Sequence, residues 1–213
     1  MRIDIISDAV CPWCWVGKRR LEKALAQRPD LTPEITWRPY QLNPELPPEG
    51  RDRRQLMREK FGDGDRAQQV FDAIKQAGEA EDIPFDFNVI ERSPNTLAAH
   101  RLIRWAAGAG VQDCVVEGLF AAYFAMGRDI GDTEVLMDVA RGCGMDGALV
   151  GELLDDERDR EMVIEEIDIA RRMGVTGVPF FVFDGKYAVS GAQDPAVFLQ
   201  VIDRALAEVG AAG

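Results

Sequence analysis

The sequence predicts an α/β fold in which a strand–helix–strand unit is separated by a long all-helical block from a closing β-hairpin and helix. Three observations predict it. Short β-branched and aromatic runs lie near both ends, helical periodicity fills the middle, and turn residues mark each changeover. Of the 213 residues, 46% are hydrophobic and 29% charged, so a sizeable core can be buried.

The opening run Arg2-Ile3-Asp4-Ile5-Ile6 is short and β-branched, as suits a buried strand. Ser7-Asp8-Ala9-Val10 then leads into Cys11-Pro12, and proline is favoured at a first helical position because its missing N–H has no helical partner to lose. The helix that follows places Cys14, Gly17, Leu21, Ala24 and Leu25 on one face, with Lys18, Arg19, Glu22 and Lys23 elsewhere. Residues 34–40 read as a second strand, which completes a βαβ unit. Pro44, Pro47, Pro48 and Gly50 make the next stretch a loop.

From about residue 55 to residue 155 the pattern is helical. Ser93-Pro94 reads as an N-cap and first-turn pair for a helix carrying Leu97, Ile103 and Trp105. Val115, Val116, Leu119, Phe120, Tyr123 and Phe124 form one helical stripe. Asp132 can cap a further helix with Leu136, Val139, Ala140 and Cys143 inward. A longer helix is expected from Asp156 to Met173, with Gly174 just past its end. Then Val178–Phe183, the Asp184-Gly185 turn and Lys186–Val189 form a hairpin. Asp194-Pro195 opens the last helix, with Phe198, Val201, Ile202, Ala205 and Val209 on one face. The expected organisation is a core of residues 1–43 and 156–213, with 44–155 inserted as helices.

The formal net charge of −12 and a pI of about 4.6 work against binding to phosphate backbones or anionic lipid. Arg51 to Lys60 is the one basic-looking stretch, and Asp52 and Glu59 interrupt it, as on a solvated helix face. No segment approaches the roughly 20 apolar residues of a membrane span. The N-terminal residues lack a basic stretch leading into a long apolar run, so a cytoplasmic protein is expected. In that compartment thiols are kept reduced, and four cysteines do not imply a structural disulfide framework.

The sharpest chemical feature is Cys11-Pro12-Trp13-Cys14 at a strand-to-helix junction. The helix N-terminus offers free N–H groups and a positive dipole end, which favour a thiolate at Cys11. Cys14, one turn on and facing inward, is expected to be the less exposed, resolving sulfur. A zinc site needs about four ligands. The chain has one histidine and no second C-x-x-C, so no metal is expected. Pro179, in Thr176-Gly177-Val178-Pro179, fits either an ordinary strand start or a cis peptide bond, and the residues alone leave both open.

Cys114 and Cys143 read as free thiols serving as small hydrophobes, with an auxiliary redox pair as the alternative. His100 reads as a packed or capping residue rather than a general base, and Asp8 as a turn residue rather than a proton carrier. Trp13 and Trp15 both suit an apolar surface beside the cysteines, and Trp15 equally suits the core.

Three segments carry a resemblance to the DsbA family, most closely its cytosolic FrnE-like branch. They are Ser7-Asp8-Ala-Val-Cys-Pro-Trp-Cys14, Ser93-Pro-Asn-Thr-Leu97, and Val178-Pro-Phe-Phe181 through Tyr187-Ala-Val-Ser-Gly-Ala-Gln193. The resemblance spans nearly the whole chain. It implies a thioredoxin-like fold with an inserted helical subdomain, a cis bond before Pro179, and a groove between core and insertion for a substrate thiol. Two departures stand out. Periplasmic members carry histidine where this chain has Trp13, and an indole cannot bear the positive charge that stabilises a thiolate, so a weaker oxidant is expected. The secretory leader of those members has no counterpart in this sequence. A related branch, the 2-hydroxychromene-2-carboxylate isomerases and kappa-class glutathione transferases, has serine where this chain has Cys11.

The expected function is thiol–disulfide exchange with protein or small-thiol, glutathione-like substrates. Cys11 and Cys14 are the catalytic pair, with Trp13, Val178 and Pro179 against the substrate. No cofactor is expected, because the two sulfurs carry the electrons. The rival readings are a glutathione-dependent isomerase or transferase and a redox-inert chaperone or scaffold.

Overall fold

The structure is a computed structural model that describes residues 1–62 and 65–211. Its centre is a four-stranded sheet in the order β2-β1-β5-β6. Strand β1 (Arg2–Ser7), helix α1 (Pro12–Leu25) and strand β2 (Glu34–Pro39) form the βαβ unit, with β1 and β2 parallel from Arg2↔Glu34 to Ser7↔Pro39. Strand β5 (Phe180–Phe183) returns antiparallel to β1, with Ile3 opposite Phe183 and Ile6 opposite Phe180. Strand β6 (Tyr187–Ser190) closes the hairpin. Asp184 and Gly185 both take positive φ, 50° and 68°, as the tight turn between right-twisted strands demands. The two ends of the chain thus share one sheet.

The sheet is covered on both faces, which explains why β1 alternates poorly. Ile3, Ile5, Phe181, Phe183 and Val189 fill one face, together with Phe198 and Ile202 of helix α9 (Pro195–Ala211). Phe198 meets Phe181 edge-on at 4.8 Å. The side chain of Val209, expected on the same helix face, lies outside the described residues. On the opposite face Ile6, Phe180 and Val182 pack with Tyr40, Ala170 and Val175.

Between β2 and β5 the chain is mainly helical: α2 (Arg53–Phe61), α3 (Asp65–Glu79), α4 (Leu97–Gly108), α5 (Gln112–Phe120), α6 (Thr133–Gly142), α7 (Gly147–Asp155) and α8 (Arg160–Arg172). The stripe from Val115 to Phe124 is buried throughout and runs from α5 into a π-helical turn at Ala121–Ala125. Asp132 caps α6 by accepting from the N–H groups of Glu134 and Val135. No helix among the described residues is long and apolar enough to cross a membrane.

Two expectations fail here. Ser93 does not cap a helix, because it pairs with Arg51 in a two-residue ladder between β3 (Arg51–Asp52) and β4 (Arg92–Ser93). Helix α4 starts at Leu97 instead, where the side chain of Asn95 accepts the Leu97 N–H at 3.0 Å. The helix expected over 156–173 starts about four residues late, at Arg160, and then runs unbroken to Arg172. Glu157 and Asp159 take left-handed φ of 52° and 59° between α7 and α8. The cause is tertiary: Arg101 of α4 donates to the carbonyls of Leu153, Leu154 and Arg158, satisfying the end of α7 from outside. The expected stop at Gly174 holds, with Val175 N–H bonded to Ala170 O and Gly174 N–H to Arg171 O.

Candidate active site

The loop from Asp8 to Cys11 is a tight turn, closed by Cys11 N–H donating to Asp8 O at 2.9 Å. Cys11 is the N-cap of α1, with extended backbone, and Pro12 opens the helix. Cys14 follows one turn later on the buried face and is 0% exposed, against 4% for Cys11. Both thiols are free. Burial pushes the Cys14 thiol well above its ordinary pKa, and the Cys11 sulfur beside it raises it further by hydrogen bond and charge. The Ser7 hydroxyl and the Asp8 backbone N–H work in the opposite direction. Ser7 is a residue that sequence reasoning passed over, since a serine at a strand end has no signature of its own.

The chain returns to this spot 167 residues later, where the Cys11 thiol donates to Val178 O at 3.4 Å. The Val178–Pro179 peptide bond is cis. Pro179 also lies against α1: a Cβ on Gly17 would sit 3.0 Å from Pro179 Cγ and 3.0 Å from Phe181 Cζ. A side chain at Gly17 would therefore fit only if Pro179 or Phe181 gave way by a few tenths of an ångström. Trp13 and Val178 are half-buried. Trp15 is core, clustered with Phe120 and Phe124, with its indole N–H donating to Glu117.

Asp8 and His100 are both fully buried and meet each other. His100 Nε2 donates to Tyr40 O at 2.8 Å and lies 3.3 Å from Asp8 Oδ1, while Asp8 Oδ2 accepts from Leu42 N–H. The pair ties the active-site turn to the chain after β2 and to α4, in keeping with packing and turn roles. A groove of about 510 Å³ runs between β2, α4 and α8, lined by Trp37, Ile103, Arg104 and Glu166 among others, but neither cysteine of the pair lines it.

Lys18 departs from expectation. Assigned to the polar side of α1, it is only 4% exposed and holds Glu22, Asp113 at 3.1 Å and Glu117 at 3.2 Å. Burial alone would lower its pKa. The Glu22 hydrogen bond and the charges of Asp113, Glu22 and Glu117 outweigh that and leave it raised. Arg19 joins Glu22 and Glu117 as well. The helix face is polar in sequence, yet it is where α5 docks.

Cys114 and Cys143 are likewise not free thiols. They form a disulfide between the first turn of α5 and the C-terminal end of α6. The two helices are consecutive and antiparallel neighbours, so residues 29 apart in sequence come within bonding distance. No spacing rule would have paired them.

Residues 2–203 match the family model of the DSBA-like thioredoxin domain. A probable DsbA oxidoreductase from Streptomyces coelicolor is 33% identical in sequence and superposes with a TM-score of 0.89, over 98% of this chain and 91% of that one. An uncharacterised Bacillus subtilis protein, YwbO, is 26% identical over 95% of this chain and 96% of its own length. A 2-hydroxychromene-2-carboxylate isomerase, 17% identical, has the same fold over the full length of both chains with a TM-score of 0.67.

Proposed function

Since the chain belongs to the DSBA-like thioredoxin domain family, we propose that it is a thiol–disulfide oxidoreductase working through Cys11 and Cys14. One observation carries this reading: two free cysteines share the first turn of α1, and the outer one touches the Val178 carbonyl beside Pro179. The Cys11 thiolate attacks a substrate disulfide, forms a mixed disulfide and expels one substrate thiolate. Cys14 then attacks the Cys11 sulfur, giving the Cys11–Cys14 disulfide and releasing the second substrate thiolate. The substrate gains two electrons and the protein loses two. In the opposite direction a substrate thiolate opens the oxidised pair.

Burial of the Cys14 thiol suits a resolving role, since it stays protonated and unreactive until the mixed disulfide forms beside it. Trp13 and Val178, both half-buried, and the buried Pro179 beside them are the residues placed against the substrate, which is a protein or a small glutathione-like thiol. The reading takes 1–43 and 156–213 as the core, 44–155 as the inserted domain, and the cytoplasm as the location. No bound cofactor enters the reaction.

The test is insulin-disulfide reduction by the wild type, Cys11→Ser and Cys14→Ser. The reading expects turnover to vanish in both variants, with Cys14→Ser accumulating mixed disulfides on Cys11. Full activity in Cys14→Ser on a glutathione-dependent isomerisation, with no exchange by the wild type, would overturn it in favour of the isomerase class.

A further inference from the structure

The Cys114–Cys143 disulfide lies in the open. Cys114 is exposed and Cys143 half-buried, and both line an open groove of about 470 Å³ between α5 and α6. Gly118 and Gly142 also line this groove, so little overhangs the sulfurs, and a Cβ on Gly142 would meet nothing within 4 Å. We propose that this bond is a second redox-exchange site, open to small thiols of neutral or positive charge. It is independent of the Cys11–Cys14 reading.

Placement makes the two sulfurs unequal. Cys114 is the third residue of α5, where free N–H groups favour a departing thiolate, whereas Cys143 follows the last turn of α6, where carbonyls oppose one. The better leaving group departs faster, so an incoming thiolate RS⁻ attacks Cys143, forms a Cys143–S–S–R bond and releases the Cys114 thiolate. A second RS⁻ attacks the R sulfur, giving RSSR and freeing Cys143. Two RSH lose two electrons, the pair gains them, and the two protons pass to the cysteines.

The charge of the visiting thiol follows from the groove wall. Its lysine, Lys18, is buried, and so is the Glu117 Oε2 atom beside it, while Glu117 Oε1 is held by Trp15 and Arg19. The Asp113 carboxylate keeps its solvent contact, with a side-chain exposure of 61%. An approaching molecule meets the Asp113 carboxylate. Glutathione, itself anionic, is disfavoured relative to an aminothiol such as cysteamine.

The experiment uses Cys11→Ser/Cys14→Ser protein, so that failure of the primary reading cannot affect it. The folded variant is equilibrated with cysteamine/cystamine mixtures, alkylated and weighed by mass spectrometry. The same is done on wild type by quantifying the peptides that hold Cys114 and Cys143, in case the variant folds poorly. The expected result is reversible passage between disulfide and dithiol with helical circular dichroism unchanged. Cysteamine should act about fivefold faster than glutathione at equal thiolate concentration in low salt, and the gap should narrow in high salt. A bond that yields only on unfolding, or glutathione reacting as fast as cysteamine, overturns the proposal.

Discussion

The Cys11 thiol sits 3.4 Å from the carbonyl oxygen of Val178, a contact that joins the start of α1 to the segment entering β5 across most of the chain. The contact exists because β1 and β5 are neighbours in the sheet, so the loops at their adjoining ends must meet. It gives the candidate site two walls of independent origin. One is a helix terminus, the other a strand entry.

Gly17 holds these walls at their spacing. Gly17→Ala would ordinarily stabilise a helix by about 1 kcal/mol. Here the added methyl meets Pro179 and Phe181, and overpacking costs about 1–3 kcal/mol. Net destabilisation of up to about 2 kcal/mol is expected in urea unfolding, with slower disulfide exchange because Pro179 is displaced. Unchanged exchange would separate Pro179 from the reaction.

Replacing Trp13 with histidine should raise the reduction potential. An imidazolium adds a full positive charge beside the sulfurs, stabilises the reduced form and makes the protein a stronger oxidant. Each 1.4 kcal/mol corresponds to about 30 mV in a glutathione redox titration, so a modest gain is readable. No change would place the control of potential outside the Pro12-Trp13 dipeptide.

The raised pKa of Cys14 fixes a pH dependence of stability. In the unfolded chain this thiol ionises near its ordinary value of about 8.5, while the folded protein keeps it protonated to higher pH. Its contribution is thus complete below about pH 8.5 and is lost as pH rises toward the folded value. Reduced wild type should show a steeper fall in Tm above that pH than Cys14→Ser. Parallel curves would contradict the burial argument.

The Lys18 cluster behaves differently at the two ends of the scale. Lys18 is raised, so its contribution is present below the ordinary lysine value of about 10.4 and disappears as pH climbs through the folded one. Burial would raise Glu22, but Lys18 and Arg19 hold it below the usual carboxylate range, so its contribution is present above about pH 4.3 and fades in acid. Lys18→Met keeps the stem but leaves Asp113 and Glu117 without their shared cation. A loss of about 1–3 kcal/mol is expected at neutral pH, together with a flatter alkaline limb in thermal melts.

Opening the Cys114–Cys143 bond should lower stability without erasing the fold. Closing a loop of this length restricts the unfolded chain by roughly 3–4 kcal/mol. Cys114→Ser/Cys143→Ser should lose no more than that in urea unfolding and retain its helical circular dichroism. Collapse of the helical signal would mean that the helices between β2 and β5 depend on the bridge.

The sequence by itself determined what local chemistry can express. The strand–turn–helix entry at Cys11, the Asp184-Gly185 turn, the Asp132 cap, the Gly174 stop and the apolar stripe from Val115 to Phe124 each depend on neighbours a few residues away. A pattern within that range is visible in one dimension. The cysteine pair belongs to this class, because its spacing and its place at a helix start are both local. Only the tertiary structure decided the rest. The burial of Lys18, the break at Glu157–Asp159 under Arg101, the use of Ser93 in a strand and the bridge from Cys114 to Cys143 all arise from partners dozens of residues distant. A cation or thiol is placed by the partner that meets it, and packing of the helices alone brings those partners together.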